Sequence, residues 1–194
     1  MTARDPKKFD PARAHLLDAP ERERYLPTAA LVDLLELGGE ETVVDYGAGT
    51  GRLTLPIARA LGSGGRVVAV DSSGEMLDRL RERLSPDVGV ELEHVVDNVV
   101  PLGDGAVDRI LAVNLLHEVR GEGALAEMRR LLAPNGFVLV VDWERGRPRD
   151  SGPPDELLYD AGEAAAALGE AGLHARPAAI ELPFHFALIA TVSR

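Results

Sequence analysis

The segment Thr42-Val43-Val44-Asp45-Tyr46-Gly47-Ala48-Gly49-Thr50-Gly51 constrains the fold more than any other stretch of the chain. A β-branched apolar run ends in an acid, three glycines follow at alternate positions, and a helical pattern runs from Gly51 to Leu61. Glycine lets the backbone turn sharply and approach a ligand closely, and a helix start offers N–H groups without intrahelical partners. After the break at Gly62-Ser63-Gly64-Gly65, the pattern repeats: Arg66 to Asp71 reads as a strand, and Ser73 to Leu84 as a helix with Met76, Leu77, Leu80 and Leu84 at helical spacing. Further strands are predicted at Val90–Val96, Val107–Asn114 and Phe137–Trp143, with a helix at Gly123–Leu132 and a turn at Pro134-Asn135-Gly136. Apolar strands alternating with helices predict an α/β fold with a parallel sheet covered on both faces. Right-handed crossovers then favour a Rossmann-like, doubly wound arrangement.

The two ends differ in kind. Between Asp5 and Leu26, prolines at 6, 11 and 20 predict one or two short helices, with Asp10 capping one that starts at Pro11. Thr28 is expected to cap a helix running to about Leu37. Glu156–Ala171 reads as a helix. His174–Leu182 and Phe184–Val192 are separated only by Pro183, which suits an antiparallel hairpin better than another crossover. A chain of 194 residues is enough for one core. The expected organisation is one domain, with residues 1–37 as an N-terminal helical lid and 38–194 as the ligand-binding core.

A net charge of -11 argues against a nucleic-acid backbone as main partner. The absence of cysteine excludes disulfides and thiolate chemistry. Met1 to Phe9 lacks the apolar stretch of a signal peptide, and no run is long enough to span a membrane. A soluble, cytoplasmic protein acting on a small molecule is expected; oligomeric state is not readable.

The acid ahead of the glycines narrows the ligand. A dinucleotide loop reads G-x-G-x-x-G; here the third glycine comes one position early and Arg52 stands in its place. Asp45, two residues before Gly47, would repel a pyrophosphate and attract an ammonium or a sulfonium. Asp71, at the end of the second strand, is placed to accept both hydroxyls of a ribose.

These residues resemble those of a class I S-adenosylmethionine-dependent methyltransferase, from about Thr42 to the C-terminus. The resemblance implies S-adenosylmethionine as cofactor. It implies that Gly47, Gly49 and Gly51 hold the methionine part with Asp45 near its amino group, that Asp71 binds the ribose, and that Ser72 lies beside the adenine. Asp97 and Asn98 match the position that meets the adenine amino group, and Asn114 the floor near the methionine. The segment Leu131–Gly136 resembles the family's turn into the fifth strand, with Asn135 in place of a glycine that Asn can replace in left-handed backbone. The family's sheet has seven strands and ends antiparallel. Asn114-Leu115-Leu116-His117-Glu118-Val119 and Phe9–Pro27 look most like the branch containing ubiquinone/menaquinone C-methyltransferases.

His117, just past the fourth strand, is the candidate general base, weighed evenly against a packing role. Glu118 reads as a solvated helix-start acid. His15 and Tyr25 belong to the expected lid, Trp143 to the core or the pocket wall, and His185 to the terminal hairpin. No metal site is expected; Asp142 is the one side chain considered for magnesium. An NAD-dependent oxidoreductase and a non-catalytic S-adenosylmethionine-binding protein are the alternative readings.

Overall fold

Alternation along the first strand sets up the whole molecule. In β1 (Thr42–Tyr46) Val43 and Val44 are both fully buried, but they enter different clusters. Val43 packs with Leu31, Leu35 and Ile57 on one face of the sheet, whereas Val44 packs with Met128, Leu131 and Leu168 on the other. A strand apolar at every position is what a sheet covered on both sides requires. By the same alternation Asp45 shares a face with Val43, and Tyr46 with Val44.

The computed structural model describes residues 8–85, 88–119 and 123–192. The expected helix start at Asp5 and Pro6 lies outside them. Among the described residues the strands are β1, β2 (Arg66–Asp71), β3 (Val90–His94), β4 (Val107–Val113), β5 (Leu132–Trp143), β6 (Leu173–Pro177) and β7 (His185–Val192). They form one seven-stranded sheet in the order β3-β2-β1-β4-β5-β7-β6. The first five run parallel, while β7 is antiparallel to both β5 and β6. This is the expected α/β architecture with its antiparallel end. Helices α1 (Thr28–Asp33), α2 (Thr54–Leu61), α3 (Gly74–Arg83), α4 (Ala124–Leu131) and α5 (Ala161–Glu170) complete it. The order reverses beside β1, where chains leaving β1 and β4 turn to opposite sides and open a crevice at their carboxyl ends. No helix among the described residues is long and apolar enough to cross a membrane.

Several expected boundaries move for local reasons. Ser73 is the N-cap of α3, its hydroxyl accepting the Met76 N–H at 3.3 Å. Thr28 is the first residue of α1 and not its cap; its N–H is bound by the Glu23 carboxylate at 2.9 Å. That helix stops at Asp33, short of Leu37, and Glu36 follows in a left-handed conformation. The helix expected from Glu156 begins at Ala161, where Asp160 and Glu163 form a capping box. The Pro134–Gly136 turn is absorbed into β5 as an irregularity in its pairing with β4. Asn135 does not take the left-handed conformation expected of it, because the close approach falls on Gly136, whose missing Cβ would sit 2.9 Å from the carbonyls of Val107 and Asp108.

The N-terminal segment forms two 3-10 turns, Pro11–Leu16 and Pro20–Arg24. Asp10 caps the first by accepting the Ala12 N–H at 3.0 Å. Arg83 of α3 ties the segment down through Asp18, which also accepts from the Thr50 hydroxyl at 3.0 Å.

Candidate active site

A cavity of about 530 Å³ lies at the carboxyl ends of β1, β2 and β4 and is roofed by the N-terminal segment. Asp45, Gly47, Gly49, Asp71, Ser72, Asn98, Asn114, His117 and Glu118 all line it. Gly51 and Asp97 do not: Asp97 is exposed, in left-handed backbone beside Asn98.

Asp45 is 3% exposed and faces the first turn of α2, where its Oδ2 accepts from the Thr54 hydroxyl at 2.5 Å. Burial pushes its pKa up to about 6; the Thr54 bond opposes this and the Asp71 charge adds to it. The glycines divide the work. Gly47 and Gly49 have φ of +80 and +55 and line the cavity. Gly51, at φ +83, faces inward: a Cβ there would lie 2.1 Å from Cδ1 of Leu80 on α3. Its role is close packing of loop on helix. Gly51→Ala combines left-handed strain with a clash against a buried leucine and should cost about 3 kcal/mol, read as a lower denaturant midpoint. An unchanged midpoint would mean that Leu80 yields freely.

Asp71 organises the loop. Its Oδ2 accepts the Gly49 N–H and its Oδ1 the Ser73 N–H, each at 2.8 Å. Burial raises its pKa against those two bonds. Each oxygen keeps a second lone pair for a ligand hydroxyl. Across the cavity, the Tyr46 hydroxyl donates to the Asn98 carbonyl at 3.0 Å and fixes the loop after β3. Asn114, at φ +54, turns the chain out of β4 while its N–H holds the Val141 carbonyl at 2.8 Å. Its buried Oδ1 has no partner. A buried acceptor without a donor is costly unless a ligand supplies one.

The turn after Asn114 brings His117 back over the end of β5. Pairing of Val113 with Val141 puts the exits of β4 and β5 side by side. His117 Nδ1 lies 2.7 Å from Asp142 Oδ1, and its backbone N–H donates to Asp142 Oδ2 at 3.0 Å. Trp143 N–H also donates to Asp142 Oδ1, at 2.7 Å. Both carboxylate oxygens thus accept from protein donors, and among the described residues no group of three or more His, Asp or Glu is placed to hold a metal ion. Burial pulls the His117 pKa down, but the Asp142 charge and hydrogen bond, with help from Glu118, outweigh it and leave the imidazole above its ordinary value. The partnership of His117 with Asp142 was not read from the sequence.

Glu118 departs from its expected role as a solvated acid. It is largely buried at the cavity wall and accepts the Phe9 N–H of the N-terminal segment at 3.2 Å. Burial pushes its carboxyl up to about 7, against the pull of His117, the Phe9 N–H and Lys8, with Asp71 adding to the rise. The ionised form is the one that folding penalises. The stability linked to Glu118 is therefore full below its unfolded pKa and lost as pH rises through about 7. Glu118→Gln keeps the acceptor for Phe9 and removes that loss, so it should raise stability at pH 8 by about 2 kcal/mol and leave it unchanged at pH 4. Equal gains at both pH values in chemical denaturation would show that charge is not the cause.

Trp143 and Tyr25 form an aromatic wall, their rings 5.7 Å apart, and both line the cavity. His185 packs behind them, 4.2 Å from Trp143 and parallel to Tyr25 at 5.8 Å. Burial lowers its pKa to about 4, and neither ring nitrogen has a partner. His15 does not line the cavity.

The geometry has counterparts among known proteins. Residues 43–136 match the family described as a methyltransferase domain. The solved structure of an S-adenosylmethionine-dependent methyltransferase from Aquifex aeolicus superposes with a TM-score of 0.88 at 29% identity, over 96% of this chain and 100% of that one. The family match and this structure together support a class I S-adenosylmethionine-dependent methyltransferase. Among curated relatives, an uncharacterized methyltransferase of Mycobacterium tuberculosis is 38% identical over 120 residues, 62% of this chain and 46% of that protein. A ubiquinone/menaquinone biosynthesis C-methyltransferase of an Enterobacter species is 36% identical over 110 residues, 54% of this chain and 43% of that protein. The chain thus spans less than half the length of these curated relatives. These similarities support S-adenosylmethionine as the cofactor and do not favour the NAD-dependent reading.

Proposed function

We propose that the chain transfers a methyl group from S-adenosylmethionine to a small-molecule acceptor in this cavity. The observation that carries the reading is the set of unmet groups converging there: the buried, partnerless Oδ1 of Asn114 and the buried carboxyl of Asp45 call for a cationic donor, and Asp71 keeps free lone pairs beside them. These residues fit the cofactor. Asp45 and Asn114 would hold its ammonium, Asp71 its ribose hydroxyls, and Ser72 and Asn98 would flank its adenine. Gly47 and Gly49 allow the backbone to approach the methionine part. Gly51 supports the loop from behind, and Asp97 stands as an exposed neighbour of the adenine end.

When bound, S-adenosylmethionine supplies an electrophilic methyl group on a sulfonium. The protein's task is then to align the acceptor and to remove its proton where it has one to lose. With Nδ1–H directed at Asp142, His117 keeps the Nε2 lone pair as a base for the acceptor. The same hydrogen bond stabilises the imidazolium that forms. Trp143 and Tyr25 bound the acceptor's space and exclude water. The apolar wall and the net charge of -11 favour a small molecule over a nucleic acid.

The test is calorimetry with S-adenosylhomocysteine, followed by mass spectrometry of small-molecule extracts incubated with the protein and labelled S-adenosylmethionine. Binding with labelled product supports the reading. Binding without product points to the non-catalytic alternative, and no binding removes both.

A further inference from the structure

Arg22 is a charged group that the reading above leaves unexplained. It stands in the second 3-10 turn and its side chain lines the cavity. Its Nε is buried without a hydrogen-bond partner, and among the described residues no carboxylate pairs with it. The acids that could serve are taken. Asp18 Oδ1 accepts from Arg83 at 2.6 Å and from Thr50, while Glu23 pairs with Arg52 at 2.8 Å and with Thr28. Burial lowers the Arg22 pKa, with Tyr25 and Asp18 pulling it up and Arg52 pushing it down. A guanidinium held in a cavity wall without an anion is a cost to the free protein and an opportunity for a ligand.

We propose that Arg22 is a carboxylate clamp, brought over the cavity by the N-terminal segment to receive the carboxylate of a bound ligand. The planar fork of a guanidinium matches a carboxylate with two parallel N–H bonds. A monoanion is the anion that fits. Asp45, Asp71 and Glu118 line the same cavity, and their repulsion weighs more on a phosphate dianion than on a carboxylate. Two ligands of the site offer such a group: the amino-acid end of the methyl donor and an acidic acceptor seated against Tyr25 and Trp143. The first source rests on the methyl-donor reading; the second does not.

Arg22→Met separates these cases. Calorimetry with S-adenosylhomocysteine, with decarboxylated S-adenosylmethionine and with benzoate gives three affinities for wild type and variant. If the clamp holds the donor, the variant loses at least tenfold for S-adenosylhomocysteine, while decarboxylated S-adenosylmethionine binds both proteins alike. If it holds the acceptor, S-adenosylhomocysteine is unaffected and benzoate binding falls by a similar factor. Arg22→Lys should recover part of either loss. The melting temperature of the free variant should equal or exceed the wild type's, because a buried unpaired charge has been replaced by a side chain of similar size. Affinities for both carboxylates within twofold of wild type would overturn the clamp, as would a melting temperature lowered by several degrees. Failure of the wild type to bind S-adenosylhomocysteine would sink the methyl-donor reading alone, since the benzoate comparison still reports on Arg22.

Discussion

Asp45→Asn is expected to bind S-adenosylhomocysteine about a hundred- to a thousandfold more weakly than the wild type and yet to unfold at a higher temperature at pH 7.5. Both effects come from one buried carboxylate. Asp45 is 3% exposed, its carboxylate accepts from the Thr54 hydroxyl, and burial raises its pKa from 3.8 to about 6. Its charge therefore opposes folding. The linked stability is full below pH 3.8 and lost as pH rises through about 6, a cost of about 3 kcal/mol at most near neutrality. Asparagine cannot ionise, and its amide oxygen can still accept from Thr54. The gain should thus be present in scanning calorimetry at pH 7.5 and vanish at pH 4. The ligand's ammonium loses its buried counter-charge, and breaking one half of such a pair costs several kcal/mol. Wild-type affinity should also fall as pH drops through about 6, where Asp45 takes a proton. A variant that melts lower at pH 7.5, or that binds S-adenosylhomocysteine as well as the wild type, would remove Asp45 from the cofactor site.

This combination explains what could be read from the sequence and what could not. Asp45 and the glycines after it form a local pattern: an apolar strand, an acid at its end and a turn into a helix. Such a pattern survives translation into three dimensions because all its parts lie within one turn of chain. The same holds for Asp71 at the end of β2 and for the antiparallel tail, where the spacing between His174 and Val192 left no room for a crossover. Gly51 was legible as a loop glycine but not as the surface on which Leu80 packs, since that contact joins two elements. Glu118 looked like an ordinary helix-start acid because the chain that covers it, at Phe9, lies 109 residues away. Arg22 belongs to no pattern at all; its meaning lies in the absence of a partner. Asp142 was visible as a strand-end acid, but its attachment to His117 depends on the register of β4 against β5. A histidine just past one parallel strand and an acid ending its neighbour are placed to meet.

That meeting leads to the other large effect. His117→Ala should lower the rate of methyl transfer by about a hundred- to ten-thousandfold for an acceptor that must lose a proton, and leave S-adenosylhomocysteine affinity within twofold. The separation is expected because His117 bonds to Asp142 and to none of the groups assigned to the cofactor. The pH profile should carry the signature of the pair. His117 acts as a base only when neutral, and Asp142 holds its pKa above the ordinary value, so the rate should climb with pH through an apparent pKa above 6.5. Asp142→Asn removes the charge that supports the imidazolium. It should move the rising limb to lower pH while depressing the plateau, because the ring is no longer fixed with Nδ1–H outward and Nε2 free. Single-turnover transfer from labelled S-adenosylmethionine across pH reads both changes, and an NMR titration of His117 reads the pKa without any acceptor. A histidine titration that is unmoved in Asp142→Asn would mean that the carboxylate does not control the imidazole. A rate that falls less than tenfold in His117→Ala would mean that the acceptor reaches the methyl group already deprotonated, with alignment in the cavity supplying the catalysis.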